Sequence, residues 1–323
     1  MNLSEIGFYT LSDERAKRGL NGGLDLERCE MILTDACNFK CPYCRGVSAY
    51  SRDCSGHIDT DLAKEIISIW SFLNLKNVRF SGGEPTLHPD LITFVKMCKF
   101  NFIDRIAIST NGSRASWVYE NLIMAGVNDF SISLDACCAE FGDKMSGVKG
   151  KFNTVVENIK WLSKEVYTTV GIVLTEETSK TIVDIIMFAH DLGVNDIRII
   201  TAAQYNKLLS NLESIPQEIL DAHPILKYRV TNLISGRNVR GISDTDSHKC
   251  YLVNDDMAVA GKWHFPCVIH MREGGEPIGE VNVHMMSERK KWFETHDTHQ
   301  DPICKKNCLD CLIDYNNVAD KNI

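Results

Sequence analysis

The sequence has no long hydrophobic run, no excess of positive charge and few prolines. Its 323 residues include 8 prolines, and 35 Lys and Arg residues stand against 43 Asp and Glu residues. No stretch approaches the roughly 20 apolar residues that a membrane-spanning helix needs, so we expect no membrane association. Because nucleic-acid binding usually depends on a basic surface, the formal net charge of -8 argues against nucleic acid as a partner.

The N-terminus also lacks a secretion signal, which would begin with charged residues and continue with an apolar run. The first residues are Met1-Asn-Leu-Ser-Glu, which fit neither part of that pattern. A cytoplasmic location is therefore predicted. The length allows one large domain, or a domain with a smaller appendage.

Cysteine is abundant, with thirteen residues in the chain. Since the cytosol keeps thiols reduced, a disulfide framework is not expected. Ligation of a metal or an iron–sulfur cluster explains the cysteines that are grouped. The cysteines outside ligand spacing are predicted to be small buried apolar residues, and these are Cys29, Cys54, Cys98, Cys137 and Cys138.

The first group has the spacing Cys37-x3-Cys41-x2-Cys44. Three close thiolates suit zinc or an iron–sulfur cluster. A structural zinc site normally has four ligands, and no fourth one follows promptly, since Cys54 and His57 lie beyond a polar stretch. Three ligands on a four-iron cluster would leave one iron open for chemistry. Structural zinc remains the alternative.

Short apolar runs alternate with helical patterns from residue 29 onward. They predict strands at 29–33, 77–81, 105–109, 129–134, 168–174 and 196–201. The helices between them are predicted at 61–73, 89–99, 116–125, 152–164 and 180–192, the last with Ser179 as its N-cap. Such alternation is typical of parallel strands with right-handed crossovers. The expected fold is α/β, a partial (β/α)6 barrel of parallel strands with a small C-terminal cysteine-rich domain.

This pattern divides the chain into four parts. We predict an N-terminal extension at 1–28 and an α/β core at 29–212. A connecting segment at 213–248 is predicted to be irregular, because Pro216, Pro224 and Gly236 interrupt any long element. The C-terminal domain at 249–323 carries five of the thirteen cysteines.

Polar motifs follow four successive predicted strands. The three cysteines come after the first, Ser81-Gly-Gly-Glu-Pro85 after the second, Ser109-Thr-Asn-Gly112 after the third and Ser133-Leu-Asp135 at the end of the fourth. Alone, a Gly-Gly pair usually marks a turn. Because parallel α/β folds bind ligands at the carboxyl ends of their strands, the four motifs together indicate a binding site.

The combination closely resembles the radical S-adenosylmethionine (SAM) enzymes over about residues 29–204. The resemblance implies a [4Fe–4S] cluster held by Cys37, Cys41 and Cys44. In that family the open iron chelates SAM, and one electron cleaves SAM to methionine and a 5′-deoxyadenosyl radical, which takes hydrogen from the substrate. The electron implies a reductant such as flavodoxin or ferredoxin as a partner.

The resemblance also assigns cofactor contacts. The positions that match the family's SAM-binding residues are Tyr43 near the adenine, Gly82, Gly83 and Glu84 at the methionine amino group, and Thr110, Asn111 and Ser133 near the ribose and carboxylate. Asp135 matches either a ligand contact or a helix N-cap. One departure is Ser146, which stands where many members have an arginine, and Lys144 and Lys149 are candidates to replace it.

A second cysteine group lies near the C-terminus. A predicted hairpin separates Cys250 from Cys267, and Cys304-x3-Cys308-x2-Cys311 follows. Four cysteine ligands arranged in this way can bind either zinc or a [4Fe–4S] cluster. The arrangement resembles the Twitch subdomain, a short relative of the SPASM domain, which implies an auxiliary [4Fe–4S] cluster on Cys250, Cys267, Cys308 and Cys311. Cys304 is then either a hydrogen donor or a structural thiol, and it could exchange roles with Cys250.

Late histidines show no ligand spacing and are predicted to be surface or packing residues: His264, His270, His284, His296 and His299. Substrate contacts are predicted from the fifth and sixth strands, around Thr175, Thr201 and Gln204. The expected activity is oxidation or epimerisation of a carbon on a small polar, sugar- or aminocyclitol-like molecule. The alternatives are a maturase acting on a ribosomally made peptide and a non-catalytic iron–sulfur protein. Molybdenum-cofactor cyclases share the core but order their C-terminal cysteines differently.

Overall fold

The computed structural model of the chain describes residues 26–44, 56–202 and 210–321. These residues form one sheet of nine strands in the order β6-β5-β4-β3-β2-β1-β7-β8-β9. The strands are β1 Arg28–Thr34, β2 Asn77–Gly82, β3 Arg105–Thr110, β4 Asp129–Ser133, β5 Tyr167–Leu174, β6 Asp196–Thr201, β7 Asp256–Ala260, β8 Trp263–Phe265 and β9 Gly279–Glu280.

Helices connect and cover these strands. They are α1 Thr60–Phe72, α2 Leu91–Phe100, α3 Ser116–Ala125, α4 Ala139–Ser146, α5 Phe152–Glu165, α6 Ile182–Asp191, α7 Gln217–Ala222, α8 Pro224–Ile234, α9 Val268–Arg272, α10 Met285–Thr295, α11 Pro302–Asn307 and α12 Asp310–Asp320. Short 3₁₀ helices span Pro85–Leu87, Thr178–Lys180, Ser210–Ser214 and Tyr251–Asn254. In the described part of the chain, no helix combines the length and apolar character needed to cross a bilayer.

The six strands predicted from the sequence are present and pair in parallel, each with the next along the chain. The sheet is open at β6, which confirms the predicted α/β architecture of a partial barrel. One face is apolar: Phe80 of β2 and Phe130 of β4 are fully buried, as are Trp70 of α1 and Phe94 of α2. Each such side chain contributes about 2 kcal/mol or more through burial.

Local signals explain where α1 begins. The Asp59 carboxylate accepts hydrogen bonds from Asp61 N at 3.0 Å and Leu62 N at 2.9 Å, which satisfies two amides of the first turn. Ala63, Ile66 and Trp70 then recur at helical spacing and point into the core. The helix therefore follows from its cap and its apolar stripe.

The cysteine-rich C-terminal region adds strands to the same sheet. β7 pairs in parallel with β1, from Arg28 opposite Asp256 to Ile32 opposite Ala260. β7 and β8 form the antiparallel hairpin predicted between Cys250 and Cys267. Backbone hydrogen bonds thus continue across the predicted boundary at 249, and the four-part division of the chain stays a prediction. Most of the N-terminal extension lies outside the described residues.

Two local predictions were wrong. The segment 213–248 is not irregular throughout, because it contains α7 and α8. Pro216 and Pro224 precede or open these helices, where a missing amide costs nothing, instead of interrupting them. Ser179 does not cap α6, since it lies within the 3₁₀ helix Thr178–Lys180 and Thr181 occupies the cap position.

Candidate active site

The loop after β1 brings its three cysteines to one cavity at the carboxyl ends of the parallel strands. Cys37, Cys41 and Cys44 all line this cavity, which has about 2150 Å³ of space open to solvent. Cys37 and Cys44 are exposed, and Cys41 is partly exposed. Burial raises the pKa of the Cys41 thiol to about 11. A bound metal is what converts such a thiol to the thiolate at neutral pH.

Hydrogen bonds hold this cysteine loop in place. Lys40 N donates to Ser146 O at 2.8 Å. The Asn111 amide donates to Asn38 Oδ1 at 2.7 Å, and the Asn38 amide donates to Ser113 Oγ at 2.8 Å. Asn38 was missed by the sequence analysis, although its place directly after Cys37 was the available signal. The loop is therefore fixed between the end of β3 and the end of α4.

Tyr43 and Asp135 form a further anchor, and both line the cavity. The Tyr43 hydroxyl donates a short hydrogen bond to Asp135 Oδ2, and Val173 N donates to Asp135 Oδ1 at 2.6 Å. Burial raises the pKa of Asp135 to about 6, although both hydrogen bonds oppose the rise. Asp135 does not cap a helix, because α4 begins only after Cys138. It joins the cysteine loop to β5.

Gly82 and Gly83 let β2 end directly against the cysteine loop. Gly83 N donates to Thr34 O at 2.7 Å, and the next amide donates to Ala36 O at 2.8 Å. A Cβ on Gly82, which has φ +144°, would lie 2.4 Å from Thr34 O, and a Cβ on Gly83 would lie 2.3 Å from Ala36 O. No other residue fits this close backbone approach without displacing the loop.

The Glu84 carboxylate is fully buried and is not among the side chains that line the cavity. Its Oε1 accepts from Thr86 N at 3.1 Å, Thr86 Oγ1 at 2.6 Å and Thr110 Oγ1 at 2.7 Å, and its Oε2 accepts from Asn111 N at 2.7 Å. Burial raises the pKa of Glu84, and these hydrogen bonds oppose the rise. The carboxylate ties the end of β2 to the end of β3. Its contact with the methionine amino group stays a prediction.

The other predicted SAM contacts Thr110, Asn111 and Ser133 line the cavity, and so does Ser146. The Ser146 hydroxyl donates to Val148 O at 2.9 Å. Of the two lysines considered as replacements for the missing arginine, Lys144 pairs with Glu177 at 2.7 Å, with 58% of its side chain exposed. Lys149 is also exposed.

Charged side chains that the sequence analysis missed also line the cavity: Glu30, Arg198, Arg240 and Arg272. Glu30 accepts from Ser81 Oγ at 2.7 Å and from Arg272 at 3.0 Å. Burial alone would raise the pKa of Glu30, but Arg272 and Ser81 outweigh it and lower the pKa. For Glu30 and Arg198 the available signal was the two-residue period of a strand, because polar and apolar residues alternate over 28–31 of β1 and 196–199 of β6.

The predicted substrate contacts have different surroundings. Thr201 lines the cavity, and its carbonyl accepts a hydrogen bond from Arg240 at 2.9 Å. Thr175 is not among the lining residues and bonds instead with Thr178 in a turn, where Thr175 N donates to Thr178 Oγ1 at 2.8 Å. Gln204 lies outside the described residues.

The second cysteine group surrounds a smaller cavity. Cys250, Cys267, Cys304 and Cys308 line it, and Cys267 also lines the large cavity. Cys311 is 2% exposed and is not among the lining residues. Cys304 lines the smaller cavity only, and its role as hydrogen donor stays a prediction.

Arg289, which the sequence analysis missed, is fully buried beneath this region. It donates to Val253 O at 2.9 Å, Phe265 O at 3.0 Å and Pro266 O at 3.3 Å, and makes a short bond to Asp256 O. Burial lowers its pKa to about 10, against the opposing effect of nearby acids that include the Cys250 and Cys267 thiols. A single side chain thus joins the segment that follows Cys250 to the segment that precedes Cys267.

The late histidines differ from one another. His264 and His270 are buried packing residues, and His284 is exposed, as predicted. His296 is grouped with Asp301 and Cys304, and their ligand atoms all lie within 4.8 Å of one another. Sequence spacing did not reveal this group, because a turn between α10 and α11 brings its members together.

The ungrouped cysteines also differ. Cys29 and Cys98 are buried, as predicted, whereas Cys137 is partly exposed and Cys138 is exposed, contrary to the prediction. Cys138 occupies the N-cap position of α4, at the surface end of the helix. Cys54 lies outside the described residues.

Comparisons with known proteins agree with this geometry. The Radical SAM superfamily model matches residues 31–189. The AdoMet-dependent heme synthase of Methanosarcina barkeri is 33% identical over 155 residues, which cover 46% of this chain and 44% of that protein. GTP 3′,8-cyclase of Klebsiella pneumoniae is 31% identical over 132 residues, 40% of each chain. The matched region is therefore less than half of each relative.

Solved structures share the fold more widely. Streptococcus suis SuiB bound to precursor peptide SuiA has a TM-score of 0.61 at 14% identity, covering 90% of this chain and 69% of that chain. AnSMEcpe with bound AdoMet and the Cp18Cys peptide has a TM-score of 0.56 at 14% identity, covering 92% of this chain and 95% of that chain. At such identities the likeness concerns the fold alone.

Residues 31–189 of the chain are a radical SAM superfamily domain. Members use a [4Fe–4S] cluster and SAM, and the residues here fit both. Three cysteine thiols share a solvent-open cavity with Tyr43, Gly83 and Asn111, and the loop that carries the thiols is anchored on several sides.

Proposed function

We propose that this enzyme uses SAM radical chemistry to oxidise or epimerise a carbon bearing a hydroxyl or amino group on a small polar molecule. One observation carries the proposal. The cavity that contains Cys37, Cys41 and Cys44 is also lined by paired charges, among them Glu30 with Arg272. Paired charges suit a hydrogen-bonding substrate better than an apolar one.

The residues of the chain take distinct roles in this proposal. Cys37, Cys41 and Cys44 would hold the [4Fe–4S] cluster, and Tyr43 and Asn111 would border SAM. When bound, the cluster and SAM supply a 5′-deoxyadenosyl radical for hydrogen abstraction, with an auxiliary [4Fe–4S] cluster as electron acceptor. Glu84 would keep the ends of β2 and β3 in register for SAM.

The C-terminal cysteines would hold that auxiliary cluster. Cys267 lines both cavities, so the proposed cluster site borders the proposed substrate site. Four thiolates leave no iron open for the substrate, which favours an electron-transfer role and hence oxidation. Flavodoxin or ferredoxin would serve as reductant.

A second candidate is the modification of a ribosomally made peptide. The large cavity is open to solvent, which a peptide needs in order to enter as an extended chain. SuiB and anSMEcpe share the fold, and their structures contain peptides. Since that likeness concerns the fold alone, it does not outweigh the charged lining of the cavity.

The test begins with the full chain reconstituted anaerobically with iron and sulfide. With dithionite and SAM, we expect release of 5′-deoxyadenosine, and we expect Cys41→Ala to abolish it. Cys98→Ala is the matched control, because Cys98 is buried in the apolar core and is not among the residues that line the cavity. A well-formed cluster without 5′-deoxyadenosine release would instead favour a binding protein.

Substrate class needs a second measurement on the same sample. A panel of amino sugars, aminocyclitols and short peptides is added, and 5′-deoxyadenosine release is followed for each compound. Stimulation by a small polar compound supports the proposal. Stimulation by peptides alone would replace it with the maturase function.

A further inference from the structure

We propose that Cys304, and not Cys311, completes the auxiliary cluster site, so that its ligands are Cys250, Cys267, Cys304 and Cys308. This inference rests on the auxiliary cluster in the proposed function. It departs from the ligand set that the family resemblance implies, in which Cys311 is a ligand and Cys304 is not. The first observation that supports it is the lining of the smaller cavity. The four thiols named line that cavity together, and each is partly exposed.

Cys311 has a different environment. It is 2% exposed and belongs to an apolar cluster with Tyr251, Leu312 and Tyr315. Cys250, Cys267 and Cys308 are partly buried and pack against this cluster. Cys311 therefore lies beneath the cavity as a small apolar residue, a common role of free cysteine.

Helix geometry explains why Cys304 and Cys308 act together. Cys304 lies within α11 and Cys308 ends it, with Cys308 N donating to Cys304 O at 3.2 Å. Residues four apart lie on the same face of a helix. After Cys308 the chain turns into extended conformation at Leu309 and starts α12, so Cys311 is on a different helix.

The backbone around α11 is fixed against the connecting segment. Gly241 N donates to Cys308 O at 2.8 Å, and Ile242 N donates to Lys305 O at 3.1 Å. Asp301 caps α11, because its Oδ1 accepts from Ile303 N at 2.7 Å and Cys304 N at 3.0 Å. Cys304 is thus held at the cavity by both ends of its helix.

The group of His296, Asp301 and Cys304 offers a competing interpretation, a mononuclear metal site. Its geometry is less suited to a metal. Asp301 Oδ1 is engaged in the helix cap, and its Oδ2 lies 3.2 Å from His270 Nε2 and 3.5 Å from His296 Nε2. His296 also stacks on Trp292 with a centroid separation of 3.8 Å. As a cluster ligand, Cys304 would no longer be the hydrogen donor.

The experiment isolates the auxiliary site. The parent is the full chain with Cys37, Cys41 and Cys44 changed to alanine, so that reconstituted iron reports on the C-terminal site. Iron and sulfide per chain and the EPR spectrum of the dithionite-reduced protein are measured. Circular dichroism and thermal unfolding establish that each variant is folded.

We expect Cys304→Ala in the parent to lower bound iron at least twofold and to remove or alter the EPR signal. We expect Cys311→Ala and His296→Ala to retain the iron and spectrum of the parent. A folded Cys311→Ala that loses its iron overturns the assignment, and this arm is decisive even if Cys304→Ala does not fold. Retention of the parental cluster by Cys304→Ala also overturns it, and so does loss of iron in His296→Ala.

Failure of the proposed function is distinguishable from failure of the ligand assignment. If the parent binds zinc and no iron–sulfur cluster, the protein has no auxiliary cluster, and the ligand assignment is overturned as well. Release of 5′-deoxyadenosine by the unaltered chain would still establish the radical chemistry at Cys37, Cys41 and Cys44.

Discussion

Replacing Glu84 with glutamine tests whether this residue positions the SAM-binding strand ends. The carboxylate accepts four hydrogen bonds, two of them from the backbone amides of Thr86 and Asn111. Glutamine has one acceptor oxygen, so its NH₂ must face one of these two N–H groups. The threonine hydroxyls can rotate to accept, but a backbone amide cannot.

At least one buried amide therefore loses its acceptor, at a cost of about 1–3 kcal/mol, and the remaining bonds lose the benefit of a charged acceptor. We expect Glu84→Gln to lower the free energy of unfolding by about 2–4 kcal/mol, since bonds to charged groups are worth about 1.5–3 kcal/mol each. The measurement is equilibrium urea unfolding at pH 7, followed by tryptophan fluorescence. SAM affinity of the reconstituted protein is measured in parallel and is expected to fall.

Thr86→Val is the matched control, because it removes one hydroxyl bond to Glu84 and leaves the backbone amides paired. We expect it to cost about 1 kcal/mol. If Glu84→Gln left the unfolding free energy unchanged while abolishing SAM binding, Glu84 would contact the SAM ammonium directly. The positioning role would then be refuted.

Three further predictions concern other parts of the molecule. Burial raises the pKa of Asp196 to about 6, so the folded state binds a proton more readily than the unfolded state. Protonation of Asp196 therefore stabilises the fold; the stabilisation is full below about pH 4 and is lost as pH rises through 6. On acidification from pH 7 to 5 we expect the wild type to gain about 1 kcal/mol relative to Asp196→Asn in urea unfolding, and equal pH dependence in both would contradict this. Gly83→Ala places a Cβ 2.3 Å from Ala36 O and should reduce the iron bound at Cys37 severalfold. The control is Gly171→Ala, whose Cβ has no neighbour closer than 3.5 Å, and this variant should bind as much iron as the wild type. Arg289→Met leaves several buried carbonyls without a hydrogen-bond donor, at a cost of about 1–3 kcal/mol each. The melting temperature should therefore lie well below that of the wild type, and a change under about 2 °C would refute this prediction.

The parallel strands were predictable because each one is a short apolar run between turn signals. β7 was predictable as half of a hairpin but not as the neighbour of β1, since a pairing across more than two hundred residues leaves no local signal. α8 was missed because Pro224 was interpreted as an interruption, whereas it opens the helix, which needs no amide there.

The site shows the same division between local and distant effects. The cysteine spacing and the glycine pair are local, and the structure brings them to one cavity as expected. The bonds from Asn38 to Asn111 and from Tyr43 to Asp135 connect residues more than seventy positions apart. Which residues meet in this way depends on the order of the strands in the sheet, and the spacing of residues along the sequence does not predict that order.

The pairing of β7 with β1 has a consequence for any attempt to divide this protein. A fragment ending before residue 249 would leave β1 as an edge strand, with a row of amides and carbonyls without partners. The fully buried Ala258 and Val259 would also leave apolar neighbours such as Met31 uncovered. Such an edge is a template for self-association, so the shortened protein should precipitate or form aggregates instead of behaving as a separable catalytic half.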